Sequence, residues 1–151
     1  MISIDTNLLL YAVNTASPDH VLAREFVSGL ASREDVALSE FVLAEFYLLL
    51  RNPAVLERPL DPGEAAAVVS TYRTHPHWSL LGFPPDSQAL HDSLWKQVAA
   101  PGFARRRLFD LRTALSLQAF GVTEFATANT KDFRDLGFRR VWNPLDPSDA
   151  V

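Results

Sequence analysis

Short β-rich stretches alternate with segments of helical periodicity along this chain, and that alternation limits the fold more than any other feature. Met1-Ile2-Ser3-Ile4, Val36-Ala37-Leu38-Ser39, Trp78-Ser79-Leu80-Leu81, Thr123–Ala128 and Arg139-Arg140-Val141-Trp142 read as strands. The segments between them read as helices. Strands separated by helical crossovers pair in parallel, with helices on both faces. The expected fold is therefore α/β, an α/β/α sandwich around a central, mainly parallel sheet. One domain over residues 1–145 is expected, with 146–151 a frayed tail.

Helix boundaries are written in cap chemistry. Ser17-Pro18-Asp19 reads as a start, with Ser as cap and Pro at the first position. Asp61-Pro62-Gly63-Glu64 has the spacing of a capping box. Pro84-Pro85-Asp86 opens a helix that Ala100-Pro101-Gly102 breaks. A helix from about Leu108 to Phe120 meets Gly121, a fitting stop. Asn129-Thr130-Lys131-Asp132 reads as a loop after the fourth strand.

The composition excludes some chemistries. With no cysteine among 151 residues there are no disulfides, Cys-zinc sites or thiol nucleophiles. No apolar run reaches the roughly 20 residues of a membrane span. The N-terminus lacks a basic region followed by a secretory core, so a cytoplasmic protein is expected. A net charge of −4 argues against an extensive nucleic-acid footprint while leaving room for a compact site.

Four carboxylates stand in awkward places. Asp5 follows the first strand, where it can cap the next helix, but ligands of open α/β sheets bind at that same edge. Glu45 shares an apolar stripe with Phe41 and Leu48, so it is expected to be buried and to need a proton, a buried Arg or a cation. Glu40 lies about 140° round the same helix and reads as a first-turn charge. Asp110 follows Arg105, Arg106 and Arg107 and precedes Arg112, a pattern that also suits an ordinary surface. Asp132 and Asn129 fit plain turn chemistry. Converging carboxylates repel unless a divalent cation lies between them, and an all-oxygen set suits Mg²⁺ or Mn²⁺. Arg107 and Arg112 are candidates for phosphate contacts beside such a cation, against a solvated basic face. His75-Pro76-His77 is disfavoured as a metal pair by its Pro and loop setting.

Taken in order, the motifs I-D-T-N-L-L-L-Y-A at Ile4–Ala12, S-E-F-V-L-A-E-F at Ser39–Phe46, F-D-L-R-T-A-L-S-L-Q-A-F-G at Phe109–Gly121, T-A-N-T-K-D-F at Thr127–Phe133 and V-W-N-P-L at Val141–Leu145 resemble the PIN-domain family. The likeness is to its VapC-like group, the toxin ribonucleases of bacterial toxin–antitoxin pairs. It departs at Leu111-Arg112, where many relatives have small or apolar residues. The resemblance implies an endoribonuclease dependent on Mg²⁺ or Mn²⁺, a homodimer, and a protein antitoxin that blocks it. It assigns catalytic roles to Asp5, Glu45 and Asp110, with Asp5 and Asp110 on the metal; the fourth acid stands in some members where this chain has Asn129 and in others where it has Asp132, and Asp132 is the choice here. Thr6 and Asn7 then orient Asp5, and Asn129 assists Asp132 through its amide oxygen or a water.

Two rivals stand beside this reading. An aspartyl-nucleophile phosphatase needs a second Asp two residues after the first, where this chain has Asn7. A non-catalytic binding module would present exposed apolar residues; Trp95, Phe103 and Leu56 are the candidates, each expected instead in the core.

Overall fold

In the computed structural model, residues 1–149 are described. Five strands join one sheet in the order β3-β2-β1-β4-β5: β1 (Ile2–Ile4), β2 (Val36–Ser39), β3 (Ser79–Leu81), β4 (Glu124–Ala126) and β5 (Arg140–Trp142). Every pairing among them is parallel, with Ile2 beside Val36, Leu38 beside Leu80, Ile4 beside Ala126 and Phe125 beside Val141. The chain builds outward from β1 to β2 and β3, then crosses to β4 and β5 on the other side. The order therefore reverses next to β1, where the carboxyl ends of β1 and β4 open a crevice.

Side-chain alternation along the strands makes two cores. Ile2, Ile4, Val36, Leu38 and Trp142 face one layer, formed by α1 (Thr6–Val13), α2 (His20–Gly29), α3 (Glu40–Leu50) and α4 (Pro62–Arg73). Ala37, Leu81 and Phe125 face the other layer, formed by α5 (Ser87–Val98), α6 (Arg107–Ala119) and α7 (Thr130–Phe133). This is the expected α/β/α sandwich. Among the described residues, no helix is long and apolar enough to cross a membrane.

Most of the cap chemistry acts as read. Asp61 Oδ1 accepts from the Glu64 amide at 2.8 Å while Glu64 Oε2 accepts from the Asp61 amide at 2.9 Å, completing the capping box. Asp86 caps α5 through the Ala89 amide. Gly121 ends α6 at φ +82°, a conformation that side-chain-bearing residues adopt at a cost.

Four expectations need correction. Helix α2 begins at His20 and not at Pro18: Ser17 Oγ accepts from the Asp19 amide and closes a preceding turn, leaving Asp19 as a cap without a side-chain bond. The segment Thr130–Phe133 is a short helix rather than a loop. It is pinned because Phe133 is buried against Phe125 with ring centroids 4.6 Å apart, an anchor that lies beyond local turn propensity. Trp95 is exposed, because α5 turns Leu90 and Leu94 inward instead; Leu56 is buried as expected. Residues 146–149 form turns in which Asp149 Oδ2 accepts from the Asn143 amide at 3.0 Å, and the last two positions of the expected tail lie outside the described residues.

Candidate active site

Asp5 stands directly after β1, and its amide continues the ladder by donating to the Ala126 carbonyl at 2.9 Å. This places a buried carboxylate at the mouth of the crevice. It also caps α1, because Oδ1 accepts from the Thr6 amide at 2.7 Å. The cap and the site are one residue. Oδ2 accepts from Asn7 Nδ2 at 2.8 Å and from Thr127 Oγ1 at 2.5 Å. Asn7 reaches on to Thr127 Oγ1 and accepts from the Ala128 amide, so it ties the ends of β1 and β4 together.

A cavity of about 550 Å³ opens over these strand ends. Asp5, Glu45, Asp110 and Asp132 all line it, together with Thr6, Asn7 and Asn129. They come from four separate segments: the β1 end, α3, α6 and α7. The crossover topology is what brings them together. Thr6 Oγ1 donates to Glu45 Oε2 at 3.2 Å and joins two of these segments. Asn129 Nδ2 donates to Asp132 Oδ2, so its amide nitrogen, rather than its oxygen, supports the acid.

Glu45 is exposed in the cavity, which corrects the expectation of core burial. The buried face of α3 is Val42, Leu43, Phe46 and Leu50. Phe41, Glu45 and Leu48 turn to the cavity, and Leu48 is 67% exposed. Helix α3 is apolar around nearly its whole circumference, so periodicity did not single out the core face. Glu40, read as a first-turn charge, is that and also an ion pair, with Arg73 Nη2 2.7 Å from Oε1.

The electrostatics are those of crowded acids. The Asp5 carboxyl is pushed from 3.8 to about 6, chiefly by burial, with the charges of Glu45 and Asp110 adding to it against the hydrogen bonds from Thr127 and Thr6. Asp110 is also raised to about 6, first by burial and then by Asp132 and Glu45; Arg107 opposes this. No hydrogen bond steadies the Asp110 carboxylate among the described residues. Two acids are thus held in a state that disfavours their charged form, which a nearby cation would reverse.

Among the described residues, no three His, Cys, Asp or Glu side chains already close on a single metal position. The donor set nevertheless fits a hard divalent cation: four carboxylates around one cavity, with Glu45 exposed and Asp110 free of hydrogen bonds to hold it back.

The basic residues separate into two roles. Arg107 Nη2 donates to the Asp132 carbonyl at 3.3 Å and links α6 to α7. Arg112 lines the cavity, its guanidinium 4.6 Å from the Phe41 ring centroid and 5.2 Å from that of Phe109. Arg106 lines the cavity and Arg105 is exposed. His75 stacks on Trp78 at 4.2 Å, and its Nδ1 accepts from the His77 amide, an arrangement that leaves no metal pair.

Thr127 is the residue of this cluster that motif reading did not single out. It is fully buried and donates the shortest of the three bonds to Asp5. Its position directly after β4, the neighbour of β1, was the available signal.

The PIN domain family matches residues 2–139 of the chain. The chain is 50% identical, over 96% of its length and 97% of the relative, to Ribonuclease VapC24 of Mycobacterium tuberculosis, in strains CDC 1551 / Oshkosh and H37Rv alike. Its fold is similar to that of FitAcB from Neisseria gonorrhoeae, with TM-score 0.65, 21% identity, and coverage of 95% of this chain and 98% of that one. VapBC2 from Rickettsia felis gives 0.64 at 18% identity over 95% and 100% of the two chains. Mycobacterium tuberculosis VapC20, a toxin that cleaves the sarcin-ricin loop, gives 0.61 at 17% identity over 83% and 87%.

Proposed function

Because the chain belongs to the PIN-domain family, we propose that it is a divalent-metal-dependent endoribonuclease, the toxin of a toxin–antitoxin pair. The observation that carries the reading is the convergence of Asp5, Glu45, Asp110 and Asp132 from four segments on one cavity, with two of them pushed to about 6. The 50% identity to a ribonuclease supports RNA as the substrate.

Asp5 and Asp110 would hold Mg²⁺ or Mn²⁺. The cation, when bound, supplies charge neutralisation at the scissile phosphate and a more acidic water. Glu45 faces the cavity with Oε2 engaged by Thr6, which leaves Oε1 to take a proton from the attacking water. Asn129 holds Asp132 toward the cavity. Thr6, Asn7 and Thr127 together hold both Asp5 oxygens, so its direction does not drift. Arg106 brings positive charge to the cavity wall for an adjacent phosphate. Hydrolysis of this kind leaves a 5′-phosphate and needs no 2′-hydroxyl. RNA selectivity then rests on the walls of the cavity.

The family reading also carries a protein antitoxin, a homodimer, and residues 1–145 acting as one nuclease unit. The deciding experiment is cleavage of a structured RNA with Mg²⁺, with Mn²⁺ and with EDTA, beside Asp5→Asn and Glu45→Gln. Metal-dependent cuts with 5′-phosphate ends, lost in both variants, are expected. Equal inertness of wild type and variants, with tight partner binding by all, would establish the binding module instead.

A further inference from the structure

One wall of the cavity is aromatic and cationic by turns. Beyond the lining itself, Phe83 meets Phe41 edge-on at 5.5 Å. Arg112 lies over Phe41 at 4.6 Å and over Phe109 at 5.2 Å. The two ends of this row are open: Phe83 is 79% exposed and Phe109 63%. Phe109 belongs to neither core cluster. Phe109 nevertheless lines the cavity one position before Asp110.

Arg112 is not spent elsewhere. Among the described residues no carboxylate forms an ion pair with it, and its Nε is buried without a hydrogen-bond partner. Its flat guanidinium therefore braces the two rings instead of reaching out as a free phosphate clamp. An apolar peptide would gain nothing from the cations that crowd the first turns of α6. A nucleic-acid strand uses both features, phosphates against arginines and bases against rings.

Resting on the ribonuclease reading, the geometry points to Phe109, braced by Arg112 and Phe41, as the platform on which an unpaired base of the RNA stacks beside the scissile phosphate. Phe109 is a specificity-determining residue in this scheme, and it selects single-stranded or looped RNA over a continuous duplex. A paired base keeps its faces within its own helix and has none to offer the ring.

The test uses a short single-stranded RNA carrying 2-aminopurine, bound to the full chain in EDTA so that no cleavage intervenes. The same RNA with one abasic nucleotide at the stacking position is the partner probe. Wild type should quench 2-aminopurine and lose about tenfold in affinity for the abasic RNA. Phe109→Ala should bind the intact RNA about tenfold more weakly, without quenching, and be indifferent to the missing base. Phe109→Tyr should restore both. Additive losses from F109A and the abasic site would overturn the platform. Wild-type binding by F109A, with only inhibition by an antitoxin protein changed, would overturn it too and make the wall a protein contact. In either case metal-dependent RNA cleavage by wild type leaves the nuclease reading standing. Wild type that neither binds nor cleaves RNA removes both together.

Discussion

Thr127 Oγ1 donates to Asp5 Oδ2 at 2.5 Å, across the junction between β4 and β1 where the sheet changes direction. The same hydroxyl accepts from Asn7 Nδ2 and from the Asn129 amide. One threonine thus joins the first acid to the segment that carries the fourth. Thr127→Val should remove the donor without opening a cavity. The expected cost is about 1–2 kcal/mol of stability by chemical denaturation, together with weaker Mn²⁺ binding by calorimetry. Thr127→Ser should retain most of both, whereas a Val variant with unchanged metal affinity would mean that Thr127 only packs.

The raised carboxyls make a pH prediction with an unusual sign. A group whose pKa is higher in the folded than in the unfolded chain favours folding when protonated. That stability is fully present below about pH 4 and is lost as pH rises through about 6. For Asp5, the gap from 3.8 to about 6 corresponds to about 3 kcal/mol. Half-exposed Asp110 adds less. In EDTA the melting temperature should fall over this window, and the slope should flatten in Asp5→Asn. Mn²⁺ should raise the melting temperature at pH 7 far more than at pH 5.

Asp110→Asn separates stability from activity. The substitution removes a charge that faces Asp132 and Glu45 and takes no hydrogen bond with it. The metal-free variant should melt about 2–4 °C higher at pH 7. RNA cleavage should fall about 100-fold or more. A variant that melts lower would show that Asp110 holds the fold and not a cation.

Helix α6 also carries a control for stability alone. Gly121 sits at φ +82°, next to the end of that helix and away from the cavity. Gly121→Ala should cost about 1–2 kcal/mol, since a Cβ strains this conformation. The rate of RNA cleavage below the melting temperature should be unchanged. Loss of cleavage without loss of stability would tie this turn to the site.

Much of the architecture was legible from local rules. The strand-helix alternation fixes the layering because parallel strands need crossovers, and the cap at Asp61 and the stop at Gly121 act through atoms only a few residues apart. Asp5 and Glu45 stood out as carboxylates at a strand end and on an apolar helix, whereas Asp110 and Asp132, which suit an ordinary surface and a turn, were named through the resemblance of the ordered motifs. The sequence by itself thus determined the layers, the parallel sheet and the names of the acids. Tertiary structure alone decided which way α3 faces, since a helix apolar all round offers several faces to a core and only packing selects among them. It turned Glu45 into the cavity and folded Thr130–Phe133 into a helix through the buried Phe133. It also brought Thr127 to Asp5 across 122 positions. Contacts at that separation depend on strand order, and strand order is a property of the whole chain rather than of any segment within it.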